Sequence, residues 1–181
     1  MVEGRPVSAR VFSGDPRSLG CLERFTENVM PVHFKARWKH AAAGASEEEI
    51  RRMTQALGVQ LPIDYLEYLL SFNGSEGWIG DNYVILYSCD TMSKTAFVFQ
   101  EFVPGIAFFG NDGGEGLFGF DTRDPSMPVV ITHSDDLDST SLVTMSQSFT
   151  AFMQSLEKHD WIEEWGRKYD LRKNNDDGDA A

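Results

Sequence analysis

Between residues 46 and 72 the apolar positions recur at helical spacing, and beyond residue 74 that period gives way to short apolar runs. Ser46 precedes Glu47, Glu48 and Glu49, and Ile50, Met53 and Leu57 then fall on one face. Ser46 and Glu49 have the spacing of a capping box, and the three glutamates suit the positive end of a helix dipole. Gly58 supplies the stop, so the pattern predicts a helix over 47–57. A second helix follows Val59-Gln60-Leu61. Pro62 sits in its first turn, where a missing N–H is harmless. Ile63, Leu66, Leu69 and Leu70 form its apolar stripe, broadened by Tyr65, Tyr68 and Phe72. Asn73-Gly74 ends it, both residues tolerating a left-handed cap.

Tyr83 to Tyr87 is β-branched and aromatic and reads as a strand. Ala96 to Phe99 fits either a strand or a helical turn. Ile106 to Phe109, bounded by Gly105 and Gly110, fits a buried strand. Leu117 to Asp121 and Pro128 to His133 read as a hairpin pair around a turn at 122–127, which Asp124-Pro125 initiates. Such short links make the sheet antiparallel in large part. Ser146 or Ser148 caps a third helix, in which Phe149, Phe152, Met153 and Leu156 make a core-facing stripe. Asp160 opens a short fourth helix with Trp161, Ile162, Trp165 and Tyr169. The expected class is α+β: a largely antiparallel, mixed sheet of about five to six strands packed by helices.

Outside this region the pattern is weaker. Residues 1–45 read as an N-terminal extension or linker: Val2 to Gly14 has no sustained period, Leu22, Phe25 and Val29 stand at helical spacing, and Ala41 to Gly44 is linker-like. The domain proper is expected over 46–157, a helical extension over 158–172, and a disordered acidic tail over 173–181. No apolar run reaches the length of a membrane span, and the N-terminus lacks the pattern of a secretory signal. Two cysteines, Cys21 and Cys89, are too few for a disulfide framework. A cytoplasmic location is expected.

The net charge of -12 is unevenly spread. Residues 1–45 carry seven Lys/Arg against four Asp/Glu, whereas residues 46–181 carry nine against twenty-four. A domain this acidic repels nucleic-acid phosphates. It attracts a basic partner and speeds their encounter, or simply stays soluble.

Three pieces of the sequence, in order, resemble one family. The first is the amphipathic stretch from Glu49 to Gly74, with Leu61-Pro62, Tyr65 and Asn73-Gly74. The second is IAFFGNDGGEGLFGFD, from Ile106 to Asp121, in which a strand enters a turn with Gly110, Gly113 and Gly114 and the next strand ends in Asp121. The third is Ser146 or Ser148 before Phe149 and Phe152. Together they resemble a SUKH (Smi–Knr) domain over about residues 46–156. Glu115 interrupts what is often a longer glycine run in that family. The resemblance implies an α+β fold and no catalytic activity. Many bacterial members look like immunity proteins that neutralise toxins, and fungal members act as scaffolds in cell-wall and stress signalling.

The candidate sites are loops. Gly110 to Gly116 lies between strands and lacks phosphate-loop spacing, so its glycines are expected to serve positive φ in a tight or bulged turn. Asp112, Glu115 and Asp121, or Asp135, Asp136 and Asp138, hold either a cation, solvent or a basic partner. Glu76 to Asp81 reads as a loop with Trp78 between acids. Trp78 either anchors a partner or folds back over the core edge. Trp161 and Trp165 pose the same choice. His33, His40, His133 and His159 share no local context, Cys89 reads as a buried thiol, and no catalytic or metal-binding motif appears. Neither a cofactor nor a metal is expected. The leading expectation is a non-enzymatic immunity-type protein that occludes a basic toxin domain through Glu76, Trp78, Asp81, Asp112, Glu115, Asp135, Asp136 and Asp138. A scaffold or regulatory interaction domain is the alternative, and an enzyme a third.

Overall fold

The computed structural model describes residues 34–138, 141–159, 161–162 and 164–167. The expected helix at 21–30 and the acidic tail lie outside these residues. In chain order the elements are β1 (Ala36–Ala41), α1 (Glu47–Leu57), α2 (Ile63–Ser71), β2 (Ser75–Ile79), β3 (Asn82–Leu86), α3 (Cys89–Phe102), β4 (Ile106–Asn111), β5 (Gly116–Asp121), β6 (Val129–His133), β7 (Val143–Ser146) and α4 (Phe149–Lys158). Residues 161–162 and 164–167 are again helical. The class is α+β as expected, with seven strands among the described residues in one antiparallel sheet whose spatial order is the chain order.

The helices form for local reasons. Ser46 and Glu49 close a reciprocal capping box at α1, and Gly58 ends it at φ 69°. Ser148 caps α4 through its hydroxyl, and Asp64 of α2 accepts the Thr150 N–H at 2.8 Å. Ala96 to Phe99 belongs to α3 and is not a strand. Ser88 caps this helix, and Cys89, Met92, Ala96 and Val103 line its buried side, a stripe too long for a four-residue window to reveal. Two further readings change. Glu76 to Ile79 lies in a strand, so only Gly80 and Asp81 form the turn to β3. The α2 cap at Phe72 is extended, and Gly74 alone takes positive φ, at 97°. The Asn73 side chain instead accepts the Cys89 N–H at 2.8 Å and donates to Glu49 at 3.2 Å, joining α1 to the start of α3.

The sheet is buried unequally. One face carries Val84, Leu86, Ala107, Phe109, Phe118, Phe120, Val129 and Ile131 into the main core with α1, α2, α4 and the first turns of α3. Tyr65 stands at its centre, 5.4 Å from Phe109, 5.2 Å from Phe120 and 5.0 Å from Phe149, ring to ring. Its hydroxyl reaches Met92 Sδ, and burial pushes the phenol well above its usual value. On the other face, Ile106, Phe108, Leu117 and Val130 form a second cluster under Phe99, Leu137 and Leu142. Strands β4 to β6 are thus covered twice, whereas β2 and β3 alternate buried and accessible residues.

The buried side chain of Asn82 ties hairpin to helix. Its Nδ2 donates to Leu156 O and His159 O, both at 2.7 Å, and its Oδ1 accepts the Ile162 N–H at 3.2 Å. Asn82→Ala strands the buried Leu156 carbonyl and removes two half-buried bonds, and is expected to lower unfolding free energy by about 2 kcal/mol, measured by urea denaturation. Burial also pushes the Cys89 thiol up to about 11. In a Cys21→Ser chain at pH 8, Cys89 should therefore react with a disulfide reagent only as fast as the protein opens. Glu48, Glu49 and Glu76 are held below 4.5, by Arg51, by Ser46 and by Tyr83 respectively, and Asp121 is held below 3.8 by Arg123. As pH falls the unfolded chain takes up protons before these folded carboxylates do. Their stabilisation is complete above 4.5 and lost as pH drops through the lowered values, so the urea midpoint should fall on acidification from about pH 5 to pH 3, less steeply in Glu49→Gln.

Candidate functional site

Strands β2, β4 and β6 all run toward the same end of the sheet, because neighbours are antiparallel and follow one another in sequence. The turn at Gly80-Asp81, the turn at 112–115 and the loop from Ser134 onward therefore emerge side by side. This brings together Asp81, Asp112, Glu115, Asp135, Asp136 and Asp138. Glu76 and Trp78 stand apart from them, on the accessible face of β2.

Each acidic segment is fixed by its own bonds. Asp112 Oδ1 accepts the N–H groups of Gly114 at 2.7 Å and Gly116 at 3.0 Å, and Asn111 Oδ1 accepts that of Gly113 at 2.8 Å. Gly113 has φ 78°, as the tight turn demands, and a Cβ there would sit 2.7 Å from the Tyr83 ring. Glu115 contacts His133 Nε2, while His133 Nδ1 accepts the Asp135 N–H at 3.2 Å. The Ser134 N–H donates to Glu115 O at 2.7 Å, so the two loops are stitched together. Leu137 packs into the second cluster and holds Asp136 and Asp138 on either side of it. The carbonyls of Asp136 and Asp138 accept from Ser141 Oγ at 2.7 and 2.8 Å. Asp81 and Asp135 face solvent.

The accessible face of β1 to β3 is mixed in charge. Tyr83 donates to Glu76, Lys39 Nζ lies 3.3 Å from the same carboxylate, and Trp78 meets Tyr83 edge to face at 5.1 Å. These contacts raise the Tyr83 and Lys39 values and lower that of Glu76. Trp78 is 44% exposed and lies against Tyr83, not over the core edge. Arg37 pairs with Trp78 in register and donates to Gly80 O at 3.0 Å. Sequence reasoning missed Arg37, Lys39 and Tyr83. The alternation Arg37-Trp38-Lys39 was the available signal for a strand with a basic outer side. Trp165 and Trp161 pack on the main core.

The arrangement offers a surface more than a chemical centre. Asp121 ends β5, the rise of a whole strand (roughly 17 Å) from the turn that holds Glu115, so these two do not share a cation. Asp121 pairs instead with Arg123 at 2.7 Å. Among the described residues no three His, Cys, Asp or Glu side chains are grouped to hold a metal, and no helix is long and apolar enough to cross a membrane. A shallow groove of about 390 Å³, lined by His40, Gly74, Glu76, Leu86, Tyr87 and Ser88 among others, opens at the opposite end of β2 and β3. Leu61 and Tyr65 lie in the core, Pro62 precedes α2, and a Cβ at Gly110 would sit 2.6 Å from Ile85 O.

Compared with the curated proteins, the sequence finds no match. It does match the SMI1 / KNR4 family (SUKH-1) over residues 44–155, a span running from the approach to α1 into α4. With α1 to α3, strands β2 to β7 and the glycine turn inside that span, the chain belongs to the SMI1 / KNR4 family (SUKH-1).

Proposed function

We propose that this protein is a non-enzymatic immunity-type protein that binds a basic toxin domain and neutralises it by covering its working surface. The family includes immunity proteins and cell-wall regulators, and its members are generally non-catalytic. The observation that carries the reading is the gathering of six carboxylates, from Asp81 to Asp138, on three adjoining loops at one end of a rigid sheet. Their field steers a cationic surface toward that end. Trp78 and Tyr83, on the adjoining accessible face, supply an aromatic anchor of the kind that dominates interface energetics. Against a nuclease, whose substrate groove is basic, the loops imitate the charge of the nucleic acid. The encounter takes place in the cytoplasm.

Low-salt purification from the native host, with mass spectrometry of what co-purifies, is expected to return one stoichiometric basic protein whose toxicity this chain abolishes. Several substoichiometric signalling or cell-wall proteins would instead establish the scaffold alternative. With the partner in hand, the triple substitution Asp81→Lys, Asp135→Lys and Asp138→Lys should lower the association rate by about 10-fold or more at low ionic strength and flatten its salt dependence. An unchanged rate in stopped-flow measurements would remove charge steering from the mechanism.

A further inference from the structure

Five large apolar side chains are exposed among the described residues, and three of them, Phe97, Val98 and Phe102, lie on α3. Their exposures are 81%, 51% and 57%. Helical geometry places Asp90, Lys94, Phe97, Val98, Glu101 and Phe102 on one side of α3, opposite Cys89, Met92, Ala96 and Val103. The inner side is anchored: Met92 and Val103 are fully buried, and Phe99 packs on Phe108 at 4.6 Å. Gln100 locks the end of the helix, donating to Ile106 O at 3.2 Å and accepting the Gly105 N–H at 3.1 Å. Turning the helix to hide Phe97 would expose Met92 and Val103. The patch is therefore a fixed part of the folded surface, and such patches mark contact sites.

Its charges specify the occupant. Lys94 lies three residues before Phe97, and Glu101 three residues after Val98. A two-fold axis crossing α3 between Phe97 and Val98 sets each residue against the one equally far on the other side. Phe97 then meets the second copy's Val98, and Lys94 meets the second copy's Glu101, twice over by symmetry. Lys94 already holds Asp90 at 2.6 Å on its own helix and is 73% exposed, so a second carboxylate can approach it from outside. A parallel pair would set lysine against lysine. We propose that α3 is a homodimer interface, in which the helices of two copies pack antiparallel about this axis. A single helix pair gives an interface at the small end of the specific range, so the dimer is weak and concentration-dependent.

Sedimentation equilibrium of the full chain at about 100 µM tests this. The parent chain should show a monomer–dimer equilibrium. Phe97→Ser, Lys94→Glu and Glu101→Lys should each raise the dissociation constant by about 10-fold or more, because each charge reversal acts at two symmetric contacts. An equimolar mixture of the Lys94→Glu and Glu101→Lys chains should dimerise again, since attraction is restored across the axis. Thermal melts matching the parent establish that the exposed substitutions leave the fold intact. A parent chain monomeric at that concentration, a dimer indifferent to Phe97→Ser, or a mixture that stays monomeric would each overturn the proposal. The six acidic loop residues lie on other elements, so loss of the dimer and loss of toxin binding are separate outcomes.

Discussion

Strands β4, β5 and β6 carry apolar residues on both faces, and a sheet of that kind has to be covered twice. α1, α2, α4 and the start of α3, through Cys89 and Met92, meet the demand on one face. On the other the chain must bring the end of α3 and the loop after β6 across, so that Phe99, Leu137 and Leu142 close over Ile106, Phe108, Leu117 and Val130. Fully burying a side chain of this class contributes about 1.5–3 kcal/mol, enough to fix the elements that supply the cover. The positions of the acidic loop and of the exposed α3 stripe follow from this requirement. Leu137 pins the first from within. Val103 and Phe99 orient the second. β2 and β3 alternate instead, and their accessible side remains open to carry Glu76, Trp78 and Tyr83.

How much of this was legible in the sequence differed by element, for physical reasons. α1 could be read to the residue because capping box, apolar stripe and terminal glycine agree. The hairpin of β5 and β6 was equally clear, with a turn signal between two apolar runs. β2 was not, because Ser-Glu-Gly-Trp-Ile lacks a β-branched run. Its Gly77 is required by a neighbour far away in sequence, since a Cβ there would stand 2.5 Å from Arg37 O. β1 and β7 are edge strands with no buried residue, and their strand character comes mostly from their neighbours. The acidic residues of the candidate site were identifiable as exposed loops. Their convergence was not, because it depends on strand order, which no local window contains. Asn73 and Asn82 show the same limit: each is a turn residue by type and a junction between distant elements by position.

The carboxylates at the candidate site differ in what the fold already asks of them. Asp112 closes its own turn, and Glu115 engages His133. Asp81 and Asp135 project into solvent with no such duty. At the edge of the sheet beyond β2, Arg37 and Lys39 give β1 a basic outer side. A row of cations on an edge strand discourages pairing with a foreign strand. The surface is thus acidic at one end, aromatic and mixed in charge along the neighbouring face, and guarded at its margin.

Because the strand order is the chain order, every loop at the acidic end joins two strands that already lie side by side. No loop crosses another, and none spans more than one strand gap. Doubling the length of such a connection costs only about 0.6 kcal/mol in closure entropy, a small charge on a core this aromatic. The loops therefore behave as cassettes. A lineage can rewrite one of them, residue by residue or by insertion, while the register of the sheet beneath it stays as it was, and the framework is inherited while its recognition surface diverges.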